Sequence, residues 1–402
     1  DNFCIHWPFK QPKAGRGLRT SMLHDHWAKA GAQFGLTAGW ERGLWYAGDD
    51  SERNLPYSVG DQPWYPIACR EAATMEAGCA LIDLSPFTKI DVSGADALDL
   101  LQYLAAGNLD VAEGRAVYTP MLNAKGGIEA DVTITRTGPD SFRLTSGAAT
   151  RRKDFAWLRR HVAGRAVTLT DVTEDEAVIG VMGADARAVL EGLSPDDWQD
   201  FPFSTARDVT IAGRPARATR VSFVGELGWE VNAGPAASGA IFDALHRAGA
   251  APMGHFALDG CRIEKGFKHW GHDLGPEITP LETGLGFTID WSKDFLGKAA
   301  LEQQKAEGLT QRMVLFDLPS HPLVLHDEPI VEGGEVIGLT TSGARGVRTG
   351  RTLALGLISV QAGESLKDTA QRHFEIEIAG KRHAAHVLRR PPFDPSGTRM
   401  KA

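Results

Sequence analysis

The sequence predicts an α+β protein in which a duplicated α+β unit precedes a small antiparallel β barrel. Three observations support this prediction. A chain of 402 residues is too long for one hydrophobic core, so two or three domains are expected. A thirteen-residue segment occurs twice in the first part of the chain. The last part alternates short β-branched runs with glycine-containing turns.

Composition and charge exclude several classes of protein. Apolar residues make up 43% and charged residues 23% of the chain, which is typical of globular domains. A net charge of −8 argues against a surface that binds nucleic acid or anionic membranes. No apolar run reaches the roughly eighteen residues that a membrane helix requires. The first residues also lack the pattern of a secretory signal.

These features predict a cytoplasmic protein, or a protein of the mitochondrial matrix if the source is eukaryotic. Cysteine spacing shows neither a C-x-x-C pair nor a zinc-ligand pattern. We therefore expect reduced thiols at Cys4, Cys69, Cys79 and Cys261. Because the first residue is not methionine, we expect the chain to be processed or to be the later part of a longer polypeptide.

Three regions differ in character along the chain. Residues 1–65 are rich in Pro, Gly, Trp and Arg and are predicted to be a linker segment, with one helical pattern, "SMLHDHWAKAGA", at residues 21–32. Residues 66–295 carry the strongest periodic signals and are predicted to be the α+β domains. Residues 296–402 are predicted to be a separate β domain.

The repeated segment lies within residues 66–295. "VSGADALDLLQYL" at 92–104 matches "VMGADARAVLEGL" at 181–193 in seven of thirteen positions. Each copy is typical of a strand end, a glycine turn and an amphipathic helix, in which residues such as Leu101 and Leu104 share one apolar stripe. Gly-Ala-Asp is also a common way to begin a helix, so chance similarity stays open. A true duplication would leave a crevice between two similar units.

Residues 296–402 are predicted to form an antiparallel barrel or sandwich. In "VLHDEPIVEGGEVIGLTTSG" two β-branched runs flank Gly-Gly, which is typical of a hairpin. "FEIEIAGKRHAAHVLRR" shows a second pair of alternating runs. Several short antiparallel strands of this kind bury their apolar side by closing into a barrel or by stacking as two sheets.

Common catalytic and cofactor motifs are not found. The sequence contains no G-x-G-x-x-G, G-x-x-x-x-G-K-[ST], G-x-S-x-G or H-E-x-x-H. "HWGHD" places His269, His272 and Asp273 close together, but no further ligand cluster accompanies them. A structural or polar role is therefore favoured over a metal site, and no metal is predicted.

The stretch "YTPMLNAKGGIEADVTITR", residues 118–136, places an aspartate inside a predicted strand. Two glycines supply the turn before the strand, since a tight turn needs backbone freedom. Side chains alternate after the turn, so Ile128, Ala130, Val132 and Ile134 face one side and Glu129, Asp131, Thr133 and Thr135 face the other. The pattern alone allows Asp131 to be an ordinary residue on the solvated face of the strand.

Two further stretches combine glycine turns with isolated polar residues. In "RVSFVGELGWEVNAG", residues 220–234, a β-like run at 221–224 precedes two glycines, and Glu230 lies between two apolar residues. In "HFALDGCRIEKGFKHWGHDLGPEITPLETGLGF" a helix that carries Arg262 is predicted to end at Gly266. A polar turn follows that helix.

Together these stretches resemble the aminomethyltransferase family, which contains the folate-binding T-protein of the glycine cleavage system. The resemblance covers residues 66–400, and its specific parts are "MLNAKGGIEADVTI", "VGELGWE", "ALDGCRIEKGFKHWGHDLGPEITPLETGLGF" and "RPPFDP". The phrases "GWERGLWYA", "LIDLSPFTKIDVSG", "FPFSTARDV" and "WGHDLGPEITPLE" are similar to the folate-binding half of dimethylglycine and sarcosine dehydrogenases. "IHWPFKQPKAGRGLRTSMLHD" looks like the linker that follows the flavin module in those enzymes.

The resemblance implies a three-domain ring with tetrahydrofolate in its central hole. It assigns Asp131 as the catalytic aspartate near folate N5 and N10. It assigns Glu230 as the acceptor for the pterin ring and Arg262 as the cation near the far end of the folate. Phe223 stands where the demethylating flavoenzymes usually have tyrosine, so a ring can still stack on the pterin but the hydroxyl is absent.

The chemistry of folate agrees with these roles. A flat pterin needs an aromatic wall, for which Phe223 and Trp291 are the candidates, and Tyr118 is a further folate-binding candidate. Adjacent N–H donors of the pterin suit the carboxylate of Glu230. A carboxylate at Asp131 can steer a folate amine, stabilise the cation that forms and take its proton.

Three functions stay open at this point. The first is a tetrahydrofolate-dependent transferase that captures carbon from an oxidised N-methyl amine as 5,10-methylenetetrahydrofolate, with FAD only on a separate or missing module. The second is direct methyl transfer from an S-, O- or N-methylated small molecule to give 5-methyltetrahydrofolate. The third is a non-catalytic folate-binding protein, which the presence of Asp131 and Glu230 disfavours. The expected partners are a small-molecule methyl donor and a flavoprotein dehydrogenase module or subunit.

Overall fold

A computed structural model of the chain describes residues 7–402 and mixes helices and strands throughout. Its α-helices are α1 (His24–Lys29), α2 (Tyr65–Ala77), α3 (Ala97–Leu104), α4 (Arg151–His161), α5 (Ala186–Glu191), α6 (Pro235–Arg247), α7 (His255–Glu264), α8 (Lys298–Glu307), α9 (Leu366–Thr369) and α10 (Thr398–Lys401). The first strands are β1 (Ala32–Thr37), β2 (Trp40–Tyr46), β3 (Ala80–Asp83), β4 (Thr88–Ser93), β5 (Ala116–Leu122), β6 (Ile128–Gly138), β7 (Ser141–Ser146), β8 (Thr168–Asp171), β9 (Ala177–Met182) and β10 (Ala206–Ile211). The remaining strands are β11 (Arg214–Thr219), β12 (Gly228–Ala233), β13 (Ala251–Pro252), β14 (Gln311–Asp317), β15 (Pro329–Glu332), β16 (Glu335–Arg345), β17 (Thr352–Ser359), β18 (Phe374–Ile378) and β19 (Lys381–Leu388).

The chain divides into two compact units, and each is assembled from separated stretches of sequence. Unit 1 comprises Asp1–Phe87, Val172–Arg262 and Ser396–Ala402, whereas unit 2 comprises Thr88–Asp171 and Ile263–Pro395. Each unit contains one large open sheet, and each of these sheets carries one copy of the repeated segment. The domain boundaries expected after residues 65 and 295 remain a proposal.

Unit 1 is built around a six-stranded sheet with the order β10-β11-β12-β9-β3-β13. Neighbouring strands are antiparallel except β13 and β3, which are parallel. All six residues of the central strand β9 are buried, as expected for a strand with other elements on both faces. Trp229 on β12 is fully buried, and its ring meets Trp198 edge-on at 5.3 Å between centroids. This apolar core fixes the strand that carries Glu230.

The linker segment contains more structure than the sequence predicted. Helix α1 lies inside the predicted helical pattern, and β1 and β2 form an antiparallel hairpin that was not foreseen. Trp27 on α1 is fully buried, and its ring meets Phe242 on α6 at 4.5 Å between centroids. The described part of the segment therefore contributes to the core of unit 1.

Unit 2 contains a five-stranded antiparallel sheet with the order β5-β6-β7-β4-β8. One face of this sheet packs against α3, whose Leu101 and Leu104 are fully buried together with Val132 and Ile134 of β6. The apolar side of β6 predicted from alternation is therefore the core side. The opposite side of β6 carries Asp131.

Both copies of the repeat adopt the expected strand–turn–helix structure. Strand β4 leads into α3 in unit 2, and β9 leads into α5 in unit 1. The turn glycines, Gly94 and Gly183, have φ values of +128° and +131°. A Cβ atom at these positions would lie 2.1 and 2.3 Å from backbone carbonyl oxygens, so only glycine fits. The shared sequence therefore encodes the same tight turn in each unit.

The strands of the last region close into a six-stranded antiparallel barrel in the order β14-β17-β16-β15-β18-β19. Closure comes from the pairing of β14 with β19. Gly333 and Gly334, both at positive φ, join β15 to β16, and β18 pairs with β19. Both predicted hairpins are confirmed, and the region forms a barrel instead of a sandwich.

Two observations concern the cysteines and the helices. Cys69, Cys79 and Cys261 form no disulfide bond among the described residues, and Cys4 lies outside those residues. Across residues 7–402, no helix has both the length and the apolar character needed to cross a bilayer.

Candidate functional site

Asp131 and Tyr118 lie on the same face of the unit 2 sheet. In the antiparallel register of β5 and β6, Pro120 is opposite Asp131 and Tyr118 is opposite Thr133. Asp131 and Tyr118 are therefore diagonal cross-strand neighbours, a spacing that long side chains can bridge. Asp131 is half-buried, and its Oδ1 atom is buried without a hydrogen-bond partner among the described residues.

The electrostatic environment of Asp131 favours proton exchange near neutral pH. Burial raises the pKa of Asp131 to about 6, because a charged carboxylate loses solvation there. A hydrogen bond from the Tyr118 hydroxyl opposes this rise, as does the cation of Lys268, while the nearby Asp154 adds to it. Desolvation, and secondarily Asp131, raises the pKa of Tyr118 well above its usual value, although the residue as a whole is 39% exposed. Tyr118 therefore stays protonated at neutral pH, and its hydroxyl is available as a donor toward Asp131.

Helix α4 supplies a second acidic group near Asp131, and a neighbouring lysine compensates its charge. Asp154 is 2% exposed, and its Oδ2 accepts hydrogen bonds from Ser146 Oγ at 2.6 Å and Thr150 Oγ1 at 2.5 Å. Lys153 Nζ lies 3.1 Å from the other oxygen, Oδ1. The same ammonium group donates to the carbonyl oxygen of Glu129 on β6. Asp154 and Lys153 thus form an internally compensated pair beside the strand.

The segment at residues 266–275, which includes "HWGHD", is fastened to the sheet and to the barrel within unit 2. Trp270 Nε1 donates to the carbonyl oxygen of Ile128 at 3.0 Å. Asp273 is fully buried and accepts from the backbone N–H of His269 at 2.9 Å. Its other oxygen accepts from Thr341 Oγ1 at 2.5 Å and Ser342 Oγ at 2.7 Å. Asp273 therefore has a structural role as a hydrogen-bond acceptor, and within residues 7–402 no His, Cys, Asp and Glu group has a metal-binding arrangement.

Glu230 lies on β12 in unit 1, between the buried residues Trp229 and Val231. It pairs with Thr219 on β11 and with Gly180 on β9, so its backbone is held on both sides. Its side chain is half-buried on the face opposite the apolar core of unit 1. This placement suits a carboxylate that meets a polar ligand.

Phe223 lies in a loop, and the predicted strand at 221–224 is wrong. Strand β11 ends at Thr219, and β12 begins only at Gly228. Between them the backbone N–H of Gly225 donates to Ser222 Oγ at 3.1 Å, and Gly225 has a φ of +79°. A serine and a left-handed glycine stabilise a turn here, and this local bonding outweighs the β propensity of the apolar residues.

The same loop contains an ion pair that sequence reasoning missed. Glu226 is 2% exposed, and its two oxygens lie 2.9 and 2.8 Å from Nε of Arg399 in the last helix of unit 1. The partners are separated by 173 positions, so no local pattern could have joined them. The pair connects the Phe223 loop to the end of the chain.

The two remaining candidate residues, Arg262 and Trp291, belong to different units. Arg262 lies near the end of α7, where it is 5% exposed and its Nε donates to Asp259 Oδ1 at 2.7 Å. Helix α7 ends at Glu264, close to the predicted end at Gly266. Trp291 is half-buried in an apolar cluster of unit 2, with Lys305 Nζ 4.8 Å above its ring. The ring of Trp291 is therefore held in place by residues of its own unit.

Of the candidate residues, the structure brings Asp131 and Tyr118 together. Glu230, Phe223 and Arg262 belong to unit 1, and Trp291 belongs to another part of unit 2. Sequence reasoning missed Lys268 and Asp154 as neighbours of Asp131. Lys268 could have been noticed, because it lies inside a quoted motif. Asp154 gave no signal, because it is one charge among many in "RRKDFAWLRRH".

Comparison with known proteins identifies two family models. The GCVT N-terminal domain matches residues 23–293, and the Glycine cleavage T-protein C-terminal barrel domain matches residues 311–394. The chain is 39% identical over 408 residues to "4-methylaminobutanoate oxidase (formaldehyde-forming)" of Paenarthrobacter nicotinovorans, a match that covers 99% of this chain and 49% of that protein. It is 31% identical over 402 residues to mitochondrial dimethylglycine dehydrogenase of Homo sapiens, covering 97% of this chain and 46% of that protein. The chain therefore spans about half the length of these two relatives.

A solved structure shares the fold. The crystal structure of glycine cleavage system aminomethyltransferase T from Bartonella henselae matches with a TM-score of 0.80 at 23% identity, covering 94% of this chain and 99% of that chain. This similarity and the closed barrel confirm the predicted α+β architecture with a C-terminal barrel. The chain belongs to the aminomethyltransferase family of folate-dependent enzymes, and it is related to the folate-binding half of the sarcosine and dimethylglycine dehydrogenases.

Proposed function

We propose that this chain is a tetrahydrofolate-dependent one-carbon transferase that captures the carbon of an oxidised N-methyl amine as 5,10-methylenetetrahydrofolate. The observation that carries the proposal is the Asp131 carboxylate, whose Oδ1 is buried without a hydrogen-bond partner among the described residues. A buried acceptor without a hydrogen-bond donor costs free energy, so we expect a ligand to donate a hydrogen bond to this atom. An amine N–H of tetrahydrofolate, the acceptor substrate, is a donor of the right kind.

Asp131 has the properties of a general base for this reaction. Its pKa of about 6 leaves it ionised at neutral pH and still able to hold a proton briefly. The Tyr118 hydroxyl orients the carboxylate and stays protonated. When the amine attacks an electrophilic carbon, the carboxylate stabilises the cation that forms and then accepts its proton.

The oxidation state of the carbon is inferred from a relative. The oxidase of Paenarthrobacter nicotinovorans is described as formaldehyde-forming, so in that protein the carbon leaves at the oxidation level of formaldehyde. A carbon at that level enters tetrahydrofolate as a methylene bridge, which supports the capture reaction over direct methyl transfer. The donor we infer is an N-methyl amine of the dimethylglycine or sarcosine type. Its oxidation would take place on a flavoprotein module or subunit.

A single-turnover experiment tests the proposed function. The chain is loaded with tetrahydrofolate and mixed with formaldehyde, and formation of 5,10-methylenetetrahydrofolate is followed after subtraction of the spontaneous condensation. We expect one bound folate per chain and capture well above the spontaneous rate. Production of 5-methyltetrahydrofolate from a methylated donor without any oxidant would instead establish direct methyl transfer.

We expect Glu230→Gln to weaken tetrahydrofolate binding by about 1–3 kcal/mol, the range for loss of a charge-assisted hydrogen bond. The carboxylate on β12 is proposed to accept two pterin N–H groups, and the amide that replaces it can accept only one. Isothermal calorimetry measures the difference, with Glu113→Gln, an exposed glutamate of unit 2, as the control. Equal affinities in wild type and Glu230→Gln would remove Glu230 from the folate site.

We expect the 402-residue chain to purify without flavin. The sequence carries no G-x-G-x-x-G fingerprint after a strand, the element that binds the pyrophosphate of a dinucleotide. The absorption spectrum of the purified chain is therefore expected to lack the bands of an oxidised flavin. A stoichiometric flavin band would contradict the assignment of FAD to a separate or missing module.

A further inference from the structure

Lys268 is a cation beside Asp131 whose bonding capacity is unused. It is half-buried and interacts electrostatically with Asp131 and Asp273. No described residue accepts a hydrogen bond from its ammonium group or forms an ion pair with it. A lysine ammonium has three donors, and a half-buried one is expected to have a partner.

The position of Lys268 is fixed by the residues that follow it in the chain. Trp270 donates to the carbonyl oxygen of Ile128, three residues before Asp131 on β6. Lys153 Nζ lies 4.2 Å above the Trp270 ring and fastens the segment from the other side. The backbone N–H of His269, the next residue after Lys268, is held by Asp273. The segment that carries Lys268 is therefore tied to β6, the strand that carries Asp131.

The acidic groups around Lys268, apart from Asp131, are occupied. Asp273 accepts hydrogen bonds from His269, Thr341 and Ser342, and its charge also acts on Lys268. Asp154 Oδ2 accepts hydrogen bonds from two hydroxyl groups, and Oδ1 lies 3.1 Å from the ammonium group of Lys153, its counter-ion. Asp131 Oδ1 and the ammonium group of Lys268 both keep unused hydrogen-bonding capacity. A carboxylate and an ammonium group of this kind suit a ligand that carries both a cation and an anion.

We propose that Lys268 binds the carboxylate of the one-carbon donor, so that the donor is the iminium of an N-methyl amino acid. This inference rests on the proposed function. The iminium carbon lies toward Asp131, and the carboxylate of the same molecule lies toward Lys268. Free formaldehyde has no charge and would gain nothing from Lys268.

The reaction balances without a further reagent. Two bonds form from the donor carbon to N5 and N10 of tetrahydrofolate, and the bonds between that carbon and the donor nitrogen break. The two protons lost from N5 and N10 leave on the donor nitrogen as an ammonium group, and Asp131 carries them. The positive charge of the iminium is thus conserved in the released amino acid.

The test compares two donors that differ in the carboxylate. Glycine and 2-methoxyethylamine are each equilibrated with formaldehyde, and the solutions are adjusted to the same measured concentration of free formaldehyde. Each is mixed with tetrahydrofolate-loaded wild type, Lys268→Met and Lys125→Met in single-turnover experiments. Lys125 is an exposed lysine of the same unit and serves as the matched control. The quantity compared is the ratio of the glycine rate to the 2-methoxyethylamine rate.

We expect Lys268→Met to lower this ratio roughly 10–100-fold, the loss expected for one charge-assisted hydrogen bond. Lys125→Met should leave the ratio unchanged. Lys268→Arg, which keeps the cation, should retain most of the preference for the glycine adduct. A rate change through the ionisation of Asp131 affects both donors alike and therefore cancels in the ratio.

Three results would overturn the inference. The first is an equal rate with both donors in wild type. The second is an equal slowing of both donors in Lys268→Met, which would show that Lys268 acts only on Asp131. The third is a Lys268→Met variant that loses affinity for tetrahydrofolate but not for tetrahydropteroate, which lacks the glutamate. That result would show that Lys268 binds a carboxylate of the folate and not that of the donor. Absence of folate binding and of formaldehyde capture in wild type would be a different failure, that of the proposed function.

Discussion

Asp131→Asn is expected to slow one-carbon transfer by on the order of 10²–10⁴, the range for loss of a general base. The substitution keeps the size and shape of the side chain and removes only its charge and its basicity. The asparagine side chain still fits beside Tyr118, so the fold and the affinity for tetrahydrofolate are expected to survive. The effect should therefore appear in the rate of transfer and hardly in binding.

The measurement is a single-turnover capture of formaldehyde by bound tetrahydrofolate. Formaldehyde condenses with free folate unaided, so the spontaneous rate must be measured in the same buffer and subtracted. Asp140→Asn, which changes an exposed aspartate of the same unit, is the control. A corrected rate equal to wild type in Asp131→Asn would return Asp131 to the role of an ordinary solvated residue and leave the catalytic proposal without its base.

The pH dependence of capture gives a second measurement on the same residue. Because burial raises the pKa of Asp131 to about 6, the base is ionised above this pH and protonated below it. The rate in wild type should therefore fall about tenfold per pH unit below pH 6 and level off above it. Asp131→Asn should lose this inflection. An inflection that persists unchanged in the variant would assign it to another group.

Glu264→Gln is expected to lower the free energy of unfolding by about 3–5 kcal/mol, the range for breaking a buried ion pair. Glu264 is fully buried, and its Oε2 accepts from Arg348 Nε at 2.8 Å. Its Oε1 accepts from the backbone N–H groups of Arg348 at 3.0 Å and Thr349 at 2.7 Å. The variant leaves the guanidinium of Arg348 buried without its counter-ion.

The same arrangement defines a control and a rescue. Glu377→Gln removes one partner of an exposed pair with Arg382 and should cost about 1 kcal/mol or less. The double variant Glu264→Gln with Arg348→Met removes both charges and should be more stable than Glu264→Gln alone. Urea denaturation compares the variants. Equal stability of Glu264→Gln and Glu377→Gln would show that the buried pair contributes no more than a surface pair.

Short-range patterns in the sequence predicted much of the local structure correctly. Alternation along β6 predicted which side of the strand is apolar, and the structure places Ile128, Ala130 and Val132 in the core. The Gly-Gly hairpin and the two strand–glycine–helix copies were also predicted correctly. These features depend on residues that are close in sequence, because side-chain alternation and turn conformation are properties of a few consecutive residues.

The sequence failed where long-range contacts or local hydrogen bonds compete with propensity. The apolar run at 221–224 is a loop, because the turn at Ser222 and Gly225 ends the strand early. The partners Glu226 and Arg399, and likewise Glu264 and Arg348, lie far apart in the chain. Nothing in the sequence indicated that each unit is assembled from alternating stretches of the chain.

The acidity of Asp131 depends on long-range packing that no local pattern in the sequence shows. The sequence placed the residue on a polar strand face, and that description fits a solvated aspartate equally well. The Tyr118 hydroxyl on the next strand and the charges of Asp154 and Lys268 come from three separate stretches of chain, and they act on Asp131 together with its burial. A pKa depends on solvation and on charges within a few ångströms, and these are set by how the chain packs. For this reason the sequence could nominate the residue, while the fold determined its acidity and its neighbours.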